Sequence, residues 1–166
     1  MNEDMDTGEP FRLLFVCTGN TCRSPMAEAI AHRVAAERGW GHVEVRSAGV
    51  ATAGGSPASE GARRVAARQG LDLSGHRSAP ATPEALAWAD LVLTMTPGHL
   101  AAVRELGAGE RAHLLPDFAA GAQGGGRVSA VPDPFGGSDR EYEETFTLLE
   151  ELVEAVMQRL APPVAP

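Results

Sequence analysis

The stretch VCTGNTCRSP, residues 16–25, follows directly on the apolar run FRLLFV at residues 11–16. A nearly continuous apolar, β-favouring run is how the buried strands of a parallel sheet read, so FRLLFV is expected to be the first and central strand. Ser24 and Pro25 have the character of an N-cap and first helical position, after which Met26, Ile30 and Val34 recur at four-residue spacing until Gly39. The quoted stretch is therefore the turn that carries a strand into the N-terminus of a helix. In an open parallel sheet the ligand crevice lies at the carboxyl ends of the strands, and a helix N-terminus there offers unpaired N–H groups and a partial positive charge. That combination is an anion site.

Working outward, VEVRS at 43–47 alternates apolar and polar residues as an edge strand does, and a second helix is expected from Ser56-Pro57 to Gly70. LVLTM at 91–95 and HLL at 113–115 supply two more short strands, with a helix from Pro97 to Leu106 between them. The final helix has the clearest start, Ser138 with Glu141 three residues on, and Tyr142, Phe146, Leu149, Val153, Val156 and Leu160 mark one face. Strands alternating with helices indicate an α/β fold with a parallel sheet. GAQGGG at 121–126 and APPVAP at 161–166 read as an irregular loop and a tail.

A chain of 166 residues suits one hydrophobic core, so a single domain is expected. No apolar run approaches the roughly 20 residues of a membrane helix, and the opening MNEDMDTGEP is acidic where a secretory leader is basic, so a cytoplasmic protein without a membrane partner is expected. A net charge of -8 argues against a nucleic-acid partner. All 14 basic residues are Arg, which removes the lysine a Walker phosphate loop requires. The 2 cysteines are too few for a disulfide framework and lack companions for a metal site, leaving a reactive pair as the live option.

Within the turn, Gly19 permits unusual backbone angles that point successive N–H groups inward, and Asn20 tolerates a left-handed conformation. Arg23 adds a planar fork able to grip two phosphate oxygens. Cys17 at the mouth of such a cradle is favoured as thiolate, a nucleophile for phosphoryl transfer. Taken alone, Cys17 reads more readily as a buried structural cysteine; the pattern C-x-x-x-x-x-R-S between strand and helix reverses that preference and favours chemistry. A leaving group needs a proton, and Asp133 in VPDPFGGS, held between two prolines, is the candidate acid.

VCTGNTCRSPMAEA and DPFGGS together resemble the low-molecular-weight protein phosphatase family, over roughly Phe11 to Leu160. The resemblance implies Cys17 as nucleophile, Arg23 as phosphate binder and Asp133 as general acid and then base. It makes Thr18, Gly19, Asn20, Thr21, Cys22, Arg23 and Ser24 the phosphate loop, with Ser24 donating to the sulfur, and puts Asn20, Ser24, Ser47 and His76 in a supporting polar network. It implies a three-layer αβα fold on a four-stranded parallel sheet, a single domain at 11–161 with flexible tails at 1–10 and 162–166, phosphorylated protein substrates, no cofactor and no metal. A monomer is expected. His32, His42, His99 and His113 carry no usable pattern.

Thr21 bears on the substrate. Tyrosine-specific family members usually carry isoleucine there, whereas CTGNTCRS resembles the bacterial protein-arginine phosphatase branch. Phe135 followed by Gly136 and Gly137 leaves one aromatic wall where tyrosine-specific relatives often have two. The expectation is a hydrolase acting on phosphoarginine through a phosphocysteine intermediate, with a protein-tyrosine phosphatase as the alternative. An arsenate reductase of this fold would need further cysteines, and none follows Cys22. Cys22 is close enough in sequence to form a reversible disulfide with Cys17; equally, it reads as a small residue packed beneath the loop. The glycine-rich insert at 121–126 puts the shape of the site entrance in question.

Overall fold

The computed structural model of the chain describes residues 9–121 and 128–161. Four strands form one parallel sheet in the order β2-β1-β3-β4. They are β1 (Phe11–Cys17), β2 (Val43–Gly49), β3 (Leu91–Thr94) and β4 (Ala112–Leu114). FRLLFV is thus an interior strand, flanked on both sides, and VEVRS lies at the edge, as their patterns imply.

The continuous apolar character of β1 has a direct cause, since both faces of the sheet are covered. Leu13, Phe15 and Cys17 point into one core, packed with Met26, Ile30 and Val34 of helix α1 (Arg23–Glu37) and with Phe146, Leu149 and Val153 of the last helix. Leu14 and Val16 point into a second, smaller core with Val92, Leu86 and Val103. Each such side chain contributes roughly 1.5–3 kcal/mol by leaving water.

The helices after α1 are α2 (Glu60–Arg68), α3 (Pro83–Trp88), α4 (Pro97–Val103), α5 (Leu115–Ala120) and α6 (Asp139–Arg159). Helix α6 begins with the anticipated capping box, the Ser138 side chain accepting from the Glu141 N–H while the Glu141 carboxylate accepts from the Ser138 N–H. Its buried face carries Tyr142, Phe146, Leu149, Val153 and Val156 as expected, with Leu160 at the half-buried end.

Several expected boundaries need correction. Helix α1 starts at Arg23 with Cys22 in the capping position, and Ser24 does not cap it, because its hydroxyl is drawn into the loop network described below. Helix α2 starts at Glu60, capped by Ser59, and not at Ser56. Residues 55–56 are instead non-helical and hydrogen-bonded to Ser78. The α-helix from Pro97 ends at Val103 and passes into a wider turn over Arg104–Ala108, where Gly107 has φ 113. Leu115 opens α5 and is not part of the fourth strand. Helices α3 and α5 went unread because at 6 residues each they span less than two turns, too short for a periodic signal. The 162–166 tail, most of the N-terminal tail and residues 122–126 of the insert lie outside the described residues. Among the described residues no helix is long and apolar enough to cross a membrane.

Candidate active site

The loop from Cys17 to Arg23 sits at the carboxyl end of β1, under the N-terminus of α1. Its shape depends on Asn20, the one non-glycine residue at positive φ (58) among the described residues. The sequence reading gave the unusual backbone angles to Gly19 first, but Gly19 is not in the left-handed region. Asn20 takes that conformation because its buried side chain is fully used there. Its Nδ2 donates to Ser24 Oγ at 2.7 Å and Ser47 Oγ at 3.0 Å, and its Oδ1 accepts from the Ala79 N–H at 2.9 Å. His76 Nε2–H donates to the Asn20 carbonyl at 2.7 Å, and Ser47 passes its own hydrogen to Glu28 at 2.6 Å. All four residues of the anticipated network therefore meet, joined by Glu28, which had not been singled out. Behind the loop, a Cβ at Gly49 would stand 2.6 Å from the Thr18 carbonyl, so the end of β2 approaches as only glycine allows.

Ser24 Oγ lies 2.9 Å from Cys17 Sγ. The Asn20 amide nitrogen can only donate, so Ser24 accepts there and keeps one hydrogen. That hydrogen has two acceptors in reach, Cys17 Sγ at 2.9 Å and the Ala48 carbonyl at 3.5 Å.

Arg23 is buried, its Nη1 held by the Val131 carbonyl at 2.9 Å and its Nη2 near Thr18 Oγ1 at 3.3 Å. Asp133 Oδ2 stands 3.6 Å from Nη2, and Asp133 Oδ1 accepts from the Phe135 N–H at 3.1 Å. Among the described residues Arg23 Nε is buried with no partner. A buried donor left unsatisfied is costly, so this one calls for an explanation. Cys17, Thr18, Gly19, Thr21, Cys22, Arg23, Asp133 and Phe135 line one pocket of about 200 Å³. Phe135 is 69% exposed and forms a wall at its mouth. A larger groove of about 570 Å³ lies elsewhere, between α1 and residues 71–76, and neither cysteine lines it.

Residues 12–164 match the family described as low molecular weight phosphotyrosine protein phosphatase. The chain belongs to that family. As a member of this phosphatase family it is a hydrolase, a cysteine-based protein phosphatase. It is similar to a protein named protein-arginine-phosphatase from Geobacillus stearothermophilus, 39% identical over 91% of this chain and 97% of that one. It is also 37% identical to low molecular weight protein-tyrosine phosphatase A of Mycobacterium tuberculosis, over 92% and 96% of the two chains. Among solved structures, the YwlE arginine phosphatase from Geobacillus stearothermophilus superposes with a TM-score of 0.80 at 39% identity, covering 91% of this chain and 93% of that one.

Sequence reasoning missed His99, which is buried and sits 2.8 Å from Thr18 Oγ1. Thr96 caps α4 just beyond β3, so parallel-sheet geometry alone would have brought the first turn of α4, and His99 with it, to the same edge as the phosphatase loop. Cys22 rests among hydroxyls, 3.2 Å from Ser59 Oγ and 3.4 Å from the Tyr142 hydroxyl. Burial, and next the Cys22 sulfur, push Tyr142 up to about 12. Nothing in the spacing of Cys22, Ser59 and Tyr142 announces this cluster, since 120 residues separate its ends.

Proposed function

We propose that this protein is a protein-arginine phosphatase that works through a phosphocysteine. Cys17 Sγ attacks phosphorus; the S–P bond forms as the P–N bond to the guanidine breaks. Arg23, through its free Nε, and the loop N–H groups from Thr18 to Ser24 stabilise the equatorial oxygens. Asp133 gives its proton to the departing guanidine nitrogen and, once ionised, takes a proton from the water that releases phosphate. Ser24 donates to the sulfur and makes it a better leaving group in the second step.

The observation that carries the choice of substrate is Thr21, whose side chain lines the pocket with Phe135 as its aromatic wall. A hydroxyl suits a polar, planar guanidinium, where isoleucine would suit a phenyl ring. The half-exposed Asp133 lines the same pocket, where its proton can reach a basic guanidine nitrogen as it departs. The relative named as a protein-arginine-phosphatase supports this reading, and the one named as a protein-tyrosine phosphatase keeps the second reading, a tyrosine phosphatase, in play.

The test is turnover of matched phosphoarginine and phosphotyrosine peptides by the wild type, by Thr21→Ile, and by Cys17→Ser as the inactive control. The wild type should prefer phosphoarginine, and Thr21→Ile should gain on phosphotyrosine. The reverse order overturns the assignment to arginine, and turnover by Cys17→Ser overturns the mechanism.

A further inference from the structure

Thr18 Oγ1 has two neighbours, Arg23 Nη2 at 3.3 Å and His99 Nε2 at 2.8 Å. A guanidinium only donates, so one lone pair of the hydroxyl faces Arg23. The direction of the second bond depends on which His99 nitrogen carries the proton. His99 Nδ1 is buried without a partner among the described residues. A proton on Nδ1 would leave a buried N–H unsatisfied, whereas a proton on Nε2 leaves only a bare lone pair there and gives Thr18 a second donor. With both lone pairs engaged, the single Thr18 hydrogen must point away from Arg23 and His99. Thr18 is exposed, and it lines the pocket beside Cys17 and Arg23.

We propose that the Thr18 hydroxyl is an additional oxyanion donor of the phosphatase site, and that His99 is the positioning residue that aims it. The proposal rests on the reading of the Cys17 loop as a phosphate cradle. Two donors feeding one hydroxyl also polarise it, so the hydrogen it offers to a phosphoryl oxygen is a stronger one. Two charged groups act on His99: Arg23 from α1 opposes its protonation and Asp133 from the loop before α6 favours it. Burial and Arg23 prevail, holding His99 down to about 4. It therefore stays neutral over the range in which a phosphatase of this kind would work.

Inorganic phosphate is the probe, measured as a competitive inhibitor of aryl phosphate hydrolysis by the full chain. Thr18→Val should weaken phosphate inhibition about tenfold, the usual effect of losing one hydrogen bond to a charged group, while Thr18→Ser keeps it. His99→Leu should weaken it as well, and His99→Gln, whose amide can still donate, should restore most of the affinity. In the Thr18→Val background, His99→Leu should add nothing; additive losses would mean that His99 merely supports the fold and would overturn the proposal. Nitrogen NMR of the wild type decides the tautomer even if His99→Leu fails to fold. A protonated Nε2 is expected, and a protonated Nδ1 refutes the assignment. If phosphate does not inhibit the wild type at all, the phosphate cradle itself fails, and this proposal fails with it. If phosphate inhibits wild type and Thr18→Val alike, only the Thr18 donor is lost.

Discussion

Asn20 illustrates how one residue can hold a site. Its left-handed backbone would be unfavourable for most side chains, and its three side-chain hydrogen bonds, together with the His76 bond to its carbonyl, offset that cost. His99 makes a different contribution. Its folded value of about 4 lies below the ordinary 6.5, so on acidification the unfolded chain takes up this proton first. The stability associated with a neutral His99 is complete above about pH 6.5 and is lost as pH falls toward about 4. Urea unfolding at about pH 7 and about pH 4.5 should therefore show wild type losing more stability than His99→Gln, and parallel losses would contradict the shift. Cys22 brings a third expectation. Both cysteines are free thiols, and mild peroxide should link Cys17 to Cys22 once Cys22 leaves Ser59 and Tyr142. Mass spectrometry should find that disulfide, while sulfonate at Cys17 as the main product would count against it.

Among the elements, the contact between α2 and α6 is the one on which the underside of the loop depends. Gly61 on α2 lies against the Tyr142 ring, and a Cβ there would fall well inside van der Waals contact with the ring carbons. Tyr142 in turn reaches Ser59, the cap of α2, at 3.0 Å. Gly61→Ala should cost about 1–3 kcal/mol through overpacking, even though alanine is the better helix former. Denaturant unfolding measures this, and a variant as stable as wild type would show that the ring has room to retreat. Helix caps also mark the limit of local reading. Ser138 and Glu141 act as their spacing implies, because their partners are each other. Ser24 has the same cap-like character but serves Cys17 and Asn20, and such partners cannot be inferred from its neighbours in sequence.

Over the whole molecule, the parallel sheet brings the ends of β1, β2 and β3 to one edge, and with them the loop, the Ser47-Ala48-Gly49 segment and the first turn of α4. Both faces of β1 are buried, which is why its run of apolar residues was legible as an interior strand. The candidate nucleophile Cys17, Arg23 and the loop that joins them were legible in the sequence because 7 contiguous residues, Cys17 to Arg23, form one strand-to-helix turn. Asp133 and its prolines were readable as a candidate acid, though only the fold sets its carboxylate 3.6 Å from Arg23. Asn20 was legible as a residue that tolerates left-handed backbone, and the fold chose it over Gly19; the neutral His99 beside Thr18, the Cys22 cluster and the Arg23 Nε without a partner among the described residues were decided by tertiary structure alone. The physical reason is that hydrogen-bond satisfaction in a buried site is settled among groups far apart in the chain, and spacing along the sequence carries no record of which of them will meet.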